Sequence, residues 1–509
     1  MPATTRIKLE NRFGGSTACK ITFLSEEGLY TINQELLGST WRGPYDEHLI
    51  DVTTNKDLSN PCGSFSMNLH DRPIPSGPLK GRRLQDVLRP HDLVIISFRR
   101  GPVFRGQMIG LVGAKPLVVE DLDQNGARIR TVNVSGFDFG KFLLTAQSFY
   151  FKDMPEADPV VAHLRGQLPF FQEDGPFAAY GGMVPRHKLF SFMLEQWLFK
   201  LSGLNWRGGQ MGELQFPLRN MLNQTMGATF GEIPFTDHTI DDEMSLYSFM
   251  SNVAEKPWCE FFVDTWPIDA EFQSAMVPDP MLLEGRLSPF PDPAINVMPH
   301  FVLRETPFDK EKWNQLPVFE IDNEVIHRAE TSGEGDVYSI YYARPPAYAG
   351  SNTSNHVAGQ GIPAFDMVAL ERYGYRPLMV ECRGIPNVRE DDGENQFTPM
   401  QQQARDFTNR LARWFYMSPE FLSGSFTLQG NPQYNVGTRL RRFLPTFEHG
   451  DAWEFYIEGL TNTFATYGQY RTTLRVTRGL RPDQDRFAEP SHLVNISDFN
   501  LTPPYWGRH

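Results

Sequence analysis

The sequence predicts an α+β protein that is mostly β, with β-rich regions towards both ends and helix-containing α/β segments between them. Three observations lead there. Short apolar runs separated by Gly, Pro and Asn recur through residues 1–150 and again beyond residue 420. Only a few stretches repeat apolar residues at helical spacing. Hydrophobic residues make up 40% of 509 and charged ones 21%, enough apolar material for about three packed domains.

In the first 150 residues the β runs are ITFL, GSFSMNL at 63–69, DLVIISF at 92–98, QMIGLVG at 107–113 and RTVNVSGFDF at 130–139. Asn125-Gly126, a favoured two-residue hairpin turn, lies between LVVEDLDQ and ARIRTVNV. A small barrel or a sandwich would close such a set. Leu189, Phe190, Met193, Leu194, Trp197 and Leu198 then form one helical stripe, and Leu246, Phe249, Met250 and Val253 a second, with Asp241 and Asp242 near its start. Strands are expected at 258–265, 300–309 and 336–345, with a proline-rich surface excursion at 266–298. A last helix runs from about Pro399 to Trp414, with Met400, Ala404, Phe407, Leu411 and Trp414 on one face. GSFTLQG, WEFYIEGLTNTF and YRTTLRVTRG follow as strands.

The two β regions echo one another. GSFSMNL and GSFTLQG each open a region; MIGLVG and EFYIEGLTNT, then RTVNVSG and YRTTLRVTRG, follow in the same order at different spacing. Two related barrels, or two independent β domains with a chance likeness, fit this pattern.

Recognisable chemistry is absent. There is no H-E-x-x-H helix, G-x-S-x-G elbow, P-loop or dinucleotide fingerprint. Cys19, Cys62, Cys259 and Cys382 show no C-x-x-C spacing, and no His pair has metal-binding helical spacing. The run Asp241, Asp242, Glu243 suits a helix start better than a catalytic pair, and Glu390, Asp391, Asp392 with Glu394 reads as a solvated turn. RGGQMGE at 207–213 lacks the strand and spacing of a phosphate cradle, while Arg439, Arg441 and Arg442 read as an interface or strand face. A net charge of -13 disfavours general phosphate-backbone affinity. No apolar run approaches a membrane span and no signal-peptide core is visible, so synthesis in the cytoplasm is expected.

The ordered segments GSFSMNLHD, LRPHDLVIISF, QMIGLVGAKPLVVE and RTVNVSGFDFGKFLL, then ERYGYRPLMVE, LSGSFTLQGNPQYNVGTRL, EFYIEGLTNTF and YRTTLRVTRGL, resemble the baseplate hub proteins of phage tails and contractile injection systems. The resemblance spans roughly three quarters of the chain, and the stretch 266–298 departs from it. It implies an α+β, mostly β fold: a first tube-like β-barrel over 1–152, a helical and α/β insert over 153–320, a second tube-like β-barrel with inserted loop and helix over 321–485, and a tail over 486–509.

The resemblance further implies a non-enzymatic homotrimer at the virion's tail tip, whose pseudo-hexameric ring joins a tail tube or distal tail protein to a central spike or fibre. The tape-measure protein is a further implied partner, DNA passes through the lumen without specific binding, and no cofactor, metal or catalytic residue is expected. Gly136, Asp138, Gly424, Phe455, Tyr456, Glu458 and Gly459 are the family-motif or assembly positions it marks. A tail-associated cell-wall hydrolase and a receptor-binding tail-tip protein are the rival readings.

Overall fold

The computed structural model describes residues 6–8, 17–25, 28–35, 48–60, 62–75, 79–101, 104–122, 126, 128–145, 183–186, 189, 232–234, 245–267, 297–321, 326–333, 335–344, 363–382, 397–443, 452–465, 469–481, 484–487 and 493–495. Most of them are strand, arranged as two β units that share one sheet, with an α/β layer packed against both.

The first unit contains β2 (Thr17–Ser25), β3 (Gly28–Glu35), β4 (Leu49–Asp57), β5 (Ser64–His70), β6 (Leu93–Arg100), β7 (Phe104–Val112), β8 (Leu117–Leu122) and β9 (Arg128–Asp138). Two short helices, α1 (Leu84–Val87) and α2 (Gly140–Thr145), flank its later strands. In space the strands run β4-β5-β9-β7-β6-β2-β3, with β8 hydrogen-bonded to β9. The run LVIISF of β6 is apolar at every position but one because that strand is covered on both faces. Val94, Ile96 and Phe98 enter the unit's own core with Met108 and Val132, while Leu93 and Ile95 face the α/β layer. The hairpin expected around Asn125-Gly126 is present, with Gly126 at positive φ. Its strand pairing closes at Leu122 opposite Arg128, so the connection is longer than two residues.

The second unit contains β14 (Val318–Ile321), β15 (Ile326–Gly333), β19 (Leu422–Gln429), β20 (Arg439–Phe443), β21 (Ala452–Ala465) and β22 (Gln469–Leu480). It is joined by β1 (Arg6–Lys8), which lies parallel to β14. Its strands run β15-β19-β22-β21-β20-β14. The first unit runs β4-β5-β9-β7-β6-β2, so six strands in matching chain order occupy matching places. Five successive pairings are antiparallel in the first unit; in the second only the last, β14 with β20, is parallel. The echo seen in the sequence is therefore a repeat of topology. GSFSMNL and GSFTLQG fall on β5 and β19, and Phe65 and Phe426 are both buried. Among the described residues neither unit closes into a complete ring of strands.

The α/β layer holds β10 (Met183–Pro185) paired with β11 (Glu232–Pro234), and the hairpin of β12 (Cys259–Pro267) with β13 (Val297–Glu305). A four-stranded sheet runs β18 (Pro377–Glu381), β16 (Ile340–Arg344), β17 (Ala364–Asp366) and β23 (Leu493–Asn495). Its helices are α3 (Leu246–Ala254), α4 (Lys310–Gln315), α5 (Met367–Tyr373) and α6 (Phe397–Phe415). Helix α3 is capped by the Ser245 side chain, which accepts from Ser248 N at 3.1 Å; Asp241 and Asp242 lie outside the described residues. At its other end the buried Arg186 guanidinium donates to the carbonyls of Val253 (2.5 Å) and Ala254 (3.1 Å). The rest of the expected stripe from Phe190 onward is outside the described residues, although Leu189 is buried. On α6, Ala404, Phe407, Leu411 and Trp414 are buried as the spacing predicts; the Met400 side chain is outside the described set. Phe407 packs edge-on against Trp258 at 5.0 Å and Trp414 against Phe308 at 5.3 Å, tying α6 to the β12–β13 region. The strand expected over 300–309 ends at Glu305. Asp309 then caps α4, a helix too short to leave a periodic signal.

Candidate assembly surface

The two units meet along β4 and β21. Residues 452–456 of β21 pair with β20 and residues 459–465 with β4, so one long strand serves two neighbours in succession. The pairing runs from Gly459 opposite Asp57 to Ala465 opposite Asp51. Side chains reinforce it: Arg475 contacts Asp57 at 2.7 Å, Thr461 donates to Asn55 at 3.2 Å, and Leu58 N donates to the Glu458 carbonyl at 2.9 Å.

Beneath the joint, Phe464 and Tyr470 of the second unit complete the first unit's core, with Phe98 stacked on Tyr470 at 4.9 Å. A buried polar chain crosses the same boundary. Asn462 donates to Gln107 Oε1 at 3.0 Å and accepts from Tyr470 (3.1 Å) and Thr472 (2.7 Å), while Gln107 donates to the Pro432 carbonyl at 2.6 Å. A buried network satisfied in this way fixes one relative placement, because any slip strands polar atoms in a dry core.

The marked positions other than Gly424 fall into two groups around this joint. Gly136 and Asp138 sit together on β9. A Cβ on Gly136 would overlap the Leu111 carbonyl and the Phe65 ring, so only glycine lets β7 approach β9 here. Asp138 is fully buried and accepts from Gly63 N and Gly140 N, both at 2.8 Å. Burial pushes its carboxyl up to about 6; nearby Lys56 and the two amides hold it down, and Asp264 pushes it up further. Lys56 pairs with Asp264 at 2.6 Å, so this cluster joins β4, β9 and β12.

Phe455, Tyr456, Glu458 and Gly459 follow one another along β21. Phe455 fills the second core, edge-on to Phe426 at 5.2 Å. Tyr456 donates to Glu260 at 2.5 Å and accepts from Arg304 at 2.8 Å, linking β21 to the β12–β13 hairpin. Burial raises the Tyr456 hydroxyl well above its ordinary range; for Arg304, burial alone acts downward, but Tyr456 and Glu260 raise it overall. Glu458 accepts from Thr477 at 3.0 Å. Gly459 lies at a register shift where β21 passes from β20 to β4. Gly424 stands apart from both groups on β19, where a Cβ would overlap the Glu330 carbonyl of β15.

Solved structures similar to this chain include phage tail proteins. A tail protein from Neisseria meningitidis aligns at TM-score 0.44 and 10% identity, covering 93% of this chain and 99% of its own. A 43 kDa tail protein of prophage MuSo2 from Shewanella oneidensis gives 0.42 and 10%, covering 90% and 98%. A prophage tail protein from Listeria monocytogenes gives 0.38 and 8%, covering 90% and 94%. No protein-family model and no curated relative matches the chain.

The charged groups that the sequence offered for chemistry are otherwise engaged or lie elsewhere. Arg439 is buried and bound to Glu454 (3.0 Å) and the Leu316 carbonyl (3.0 Å), and Arg441 to Glu320 (3.3 Å) and Glu454 (3.0 Å). They cross-link strands, as the strand-face reading expects. Asp241–Glu243, RGGQMGE and the acidic run at 390–394 lie outside the described residues. Among the described residues, no cluster of three or more His, Cys, Asp or Glu is placed to hold a metal, and no helix is long and apolar enough to cross a membrane.

Lys56, Asp264, Glu260, Arg304, Trp313 and Glu454 went unrecognised in the sequence. Lys56 had a signal: in LIDVTTNKD it shares the inward parity of Val52 and Thr54. A lysine on that face needs a buried partner, but nothing in the sequence names Asp264.

Proposed function

We propose that the chain is a structural hub at the tip of a phage-type tail, working by assembly and not by catalysis. The observation that carries this reading is the doubled strand order: one chain supplies two like units already joined side by side through β4 and β21. Three copies then make six like units, a pseudo-sixfold ring that fits a hexameric tail tube or distal tail protein on one side. A threefold spike or fibre occupies the other side, and the tape-measure protein and DNA pass through the centre. Symmetry mismatch is absorbed because the units match in topology while the α/β layer around them follows the threefold axis. The net charge of -13 suits a conduit that does not retain DNA.

Buried ion pairs and polar chains serve this role by holding the units in one relation, as the clusters at Asp138 and Tyr456 do. The test is the mass of the purified chain in solution with negative-stain images of the particle. The expected result is three times the chain mass and a ring with a central hole. A particle that stays at one chain mass across its accessible concentrations overturns the ring.

A further inference from the structure

Three ionisable side chains meet in the interior where β4, β9 and β12 come together, and their arrangement goes beyond what an ion pair needs. Asn55 is opposite Ser64, and Ser64 is opposite Phe137. One residue further along, Lys56, Gly63 and Asp138 form a row across β4, the approach to β5, and β9. Asp138 N donates to the Gly63 carbonyl at 3.1 Å, as that row requires. All three residues are buried, on the inward parity of their strands. The glycine in the middle brings the outer two together: a Cβ there would lie 2.8 Å from Asp138 Oδ2 and 2.7 Å from the Asn55 carbonyl oxygen.

Asp264, on β12, completes the group. Lys56 Nζ donates to Asp264 Oδ1 at 2.6 Å, and both side chains are almost wholly buried. The Thr265 backbone N–H donates to the same Oδ1 at 2.7 Å. Asp138 is fixed beside the pair by the amides of Gly63 and Gly140.

An amine and a carboxyl held in contact away from water, with a second carboxyl beside them, are the groups that amide formation needs. Fixed contact replaces the improbable encounter of two reactants. Exclusion of water removes the reagent that would reverse the reaction. Burial favours the neutral, nucleophilic form of a lysine amine. The Thr265 N–H is aimed at the oxygen on which negative charge develops as the amine attacks. Asp138, pushed up by burial to about 6, takes and returns protons close to neutral pH.

We propose that Lys56 and Asp264 condense into an isopeptide bond, tying the first β unit covalently to the β12–β13 hairpin. The Lys56 ammonium gives a proton to the Asp138 carboxylate, and the neutral amine attacks Cγ of Asp264. Asp138 passes that proton to Oδ2, takes a second from the nitrogen of the adduct and gives it to the same oxygen, which leaves as water. The Nζ–Cγ bond forms, the Cγ–Oδ2 bond breaks, and Asp138 ends ionised as it began. Nothing is oxidised or reduced. Each chain reacts once, on itself, and the bond is independent of the ring reading because it lies within one chain. The ion-paired chain is the state before condensation, and the charge behaviour of Lys56, Asp138 and Asp264 belongs to that state.

The test is the intact mass of the purified full chain, denatured and measured after incubation at neutral pH until the mass is constant. The expected mass is lower than the sequence mass by one water. Trypsin should fail to cut after Lys56, and the digest should contain the Lys56 segment joined to the Asp264 segment. Lys56→Arg keeps a cation beside Asp264 but has no amine to form this bond, so it should fold with the same circular dichroism and keep the full sequence mass. Asp138→Asn should slow or abolish the mass loss; an unchanged rate in a folded chain would remove Asp138 as the proton carrier. A folded unmodified chain that keeps the full sequence mass and is cut after Lys56 overturns the proposal. A water loss that persists in Lys56→Arg overturns it too, since the change would then lie elsewhere.

Discussion

A Lys56→Met chain should lose roughly 3–5 kcal/mol of stability at neutral pH, because the change removes the cation from a buried cluster and leaves its carboxylates behind. The Lys56 and Asp264 side chains are only 6% and 3% exposed, and Asp138 lies close enough for Lys56 to lower its carboxyl. Methionine keeps most of the stem's volume, so the loss reports charge more than packing. The sign with pH follows from Asp138, whose folded value of about 6 lies above the ordinary 3.8. A carboxyl raised in this way favours folding while protonated, and that contribution is lost as pH rises through the folded value. Without Lys56 the carboxyl rises further. The variant's deficit in urea midpoint should therefore be clearly larger at about pH 8 than at about pH 5. Equal midpoints for the two chains at the higher pH would mean that Lys56 does not hold β4, β9 and β12 together.

Glu454→Ala should be comparably damaging, about 3–5 kcal/mol, for a related reason in the part of β21 that pairs with β20. Glu454 accepts from the Trp313 indole at 2.5 Å, from Arg439 at 3.0 Å and from Arg441 at 3.0 Å, and the Arg439 side chain is 2% exposed. Alanine leaves that guanidinium, among the described residues, with the carbonyls of Asn314 and Leu316, the Asn314 amide oxygen and the face of the Trp313 ring. Burial pushes the Glu454 carboxyl up, but Arg439, the indole, Arg486 and Arg441 together hold it below its ordinary range. A depressed carboxyl stabilises the fold above its unfolded value and loses that contribution as pH falls through the folded one. The gap in thermal midpoint between the two chains should persist at neutral pH and narrow in acid below about pH 4. A gap that is absent at neutral pH would remove Glu454 as the organiser of β20, β21 and α4.

Strand positions were legible where one or both faces are apolar. GSFSMNL, LVIISF and YRTTLRVTRG all fall on strands, and the stripe of α6 is buried as its spacing predicts. β4 and β15 were harder. LIDVTTNKD dilutes its inward positions with Thr54 and Lys56, and β15 buries almost nothing, so neither carries a strong period. Pairing was not legible at all. Alternation says which face a residue occupies and nothing about which strand lies beside it, and the partners β4 and β21 are some four hundred positions apart in the chain. The echo between the two β regions was the one long-range signal available, and it was readable because GSF recurs at equivalent places on β5 and β19. The Arg-Thr pairs of RTVNVSG and YRTTLRVTRG mislead in detail. Matched directly, they set buried Val132 on half-buried Thr473; the pairing through β5 and β19 shifts them by three residues.

The marked residues were found by resemblance, and their roles became visible only with their partners. Asp138 reads as one acid in a Gly-x-Asp segment, yet its work is to accept two backbone amides beside a buried lysine. Tyr456 reads as one aromatic in a strand, yet it links β21 to a hairpin about two hundred residues earlier in the chain.

The most direct test of the central claim is a cryo-electron microscopy map of the assembled particle. The expected map has six like β units around the axis at one level, with a β21–β4 joint inside each chain, and strict threefold symmetry in the surrounding α/β layer. A particle in which the β units do not share one ring would contradict it.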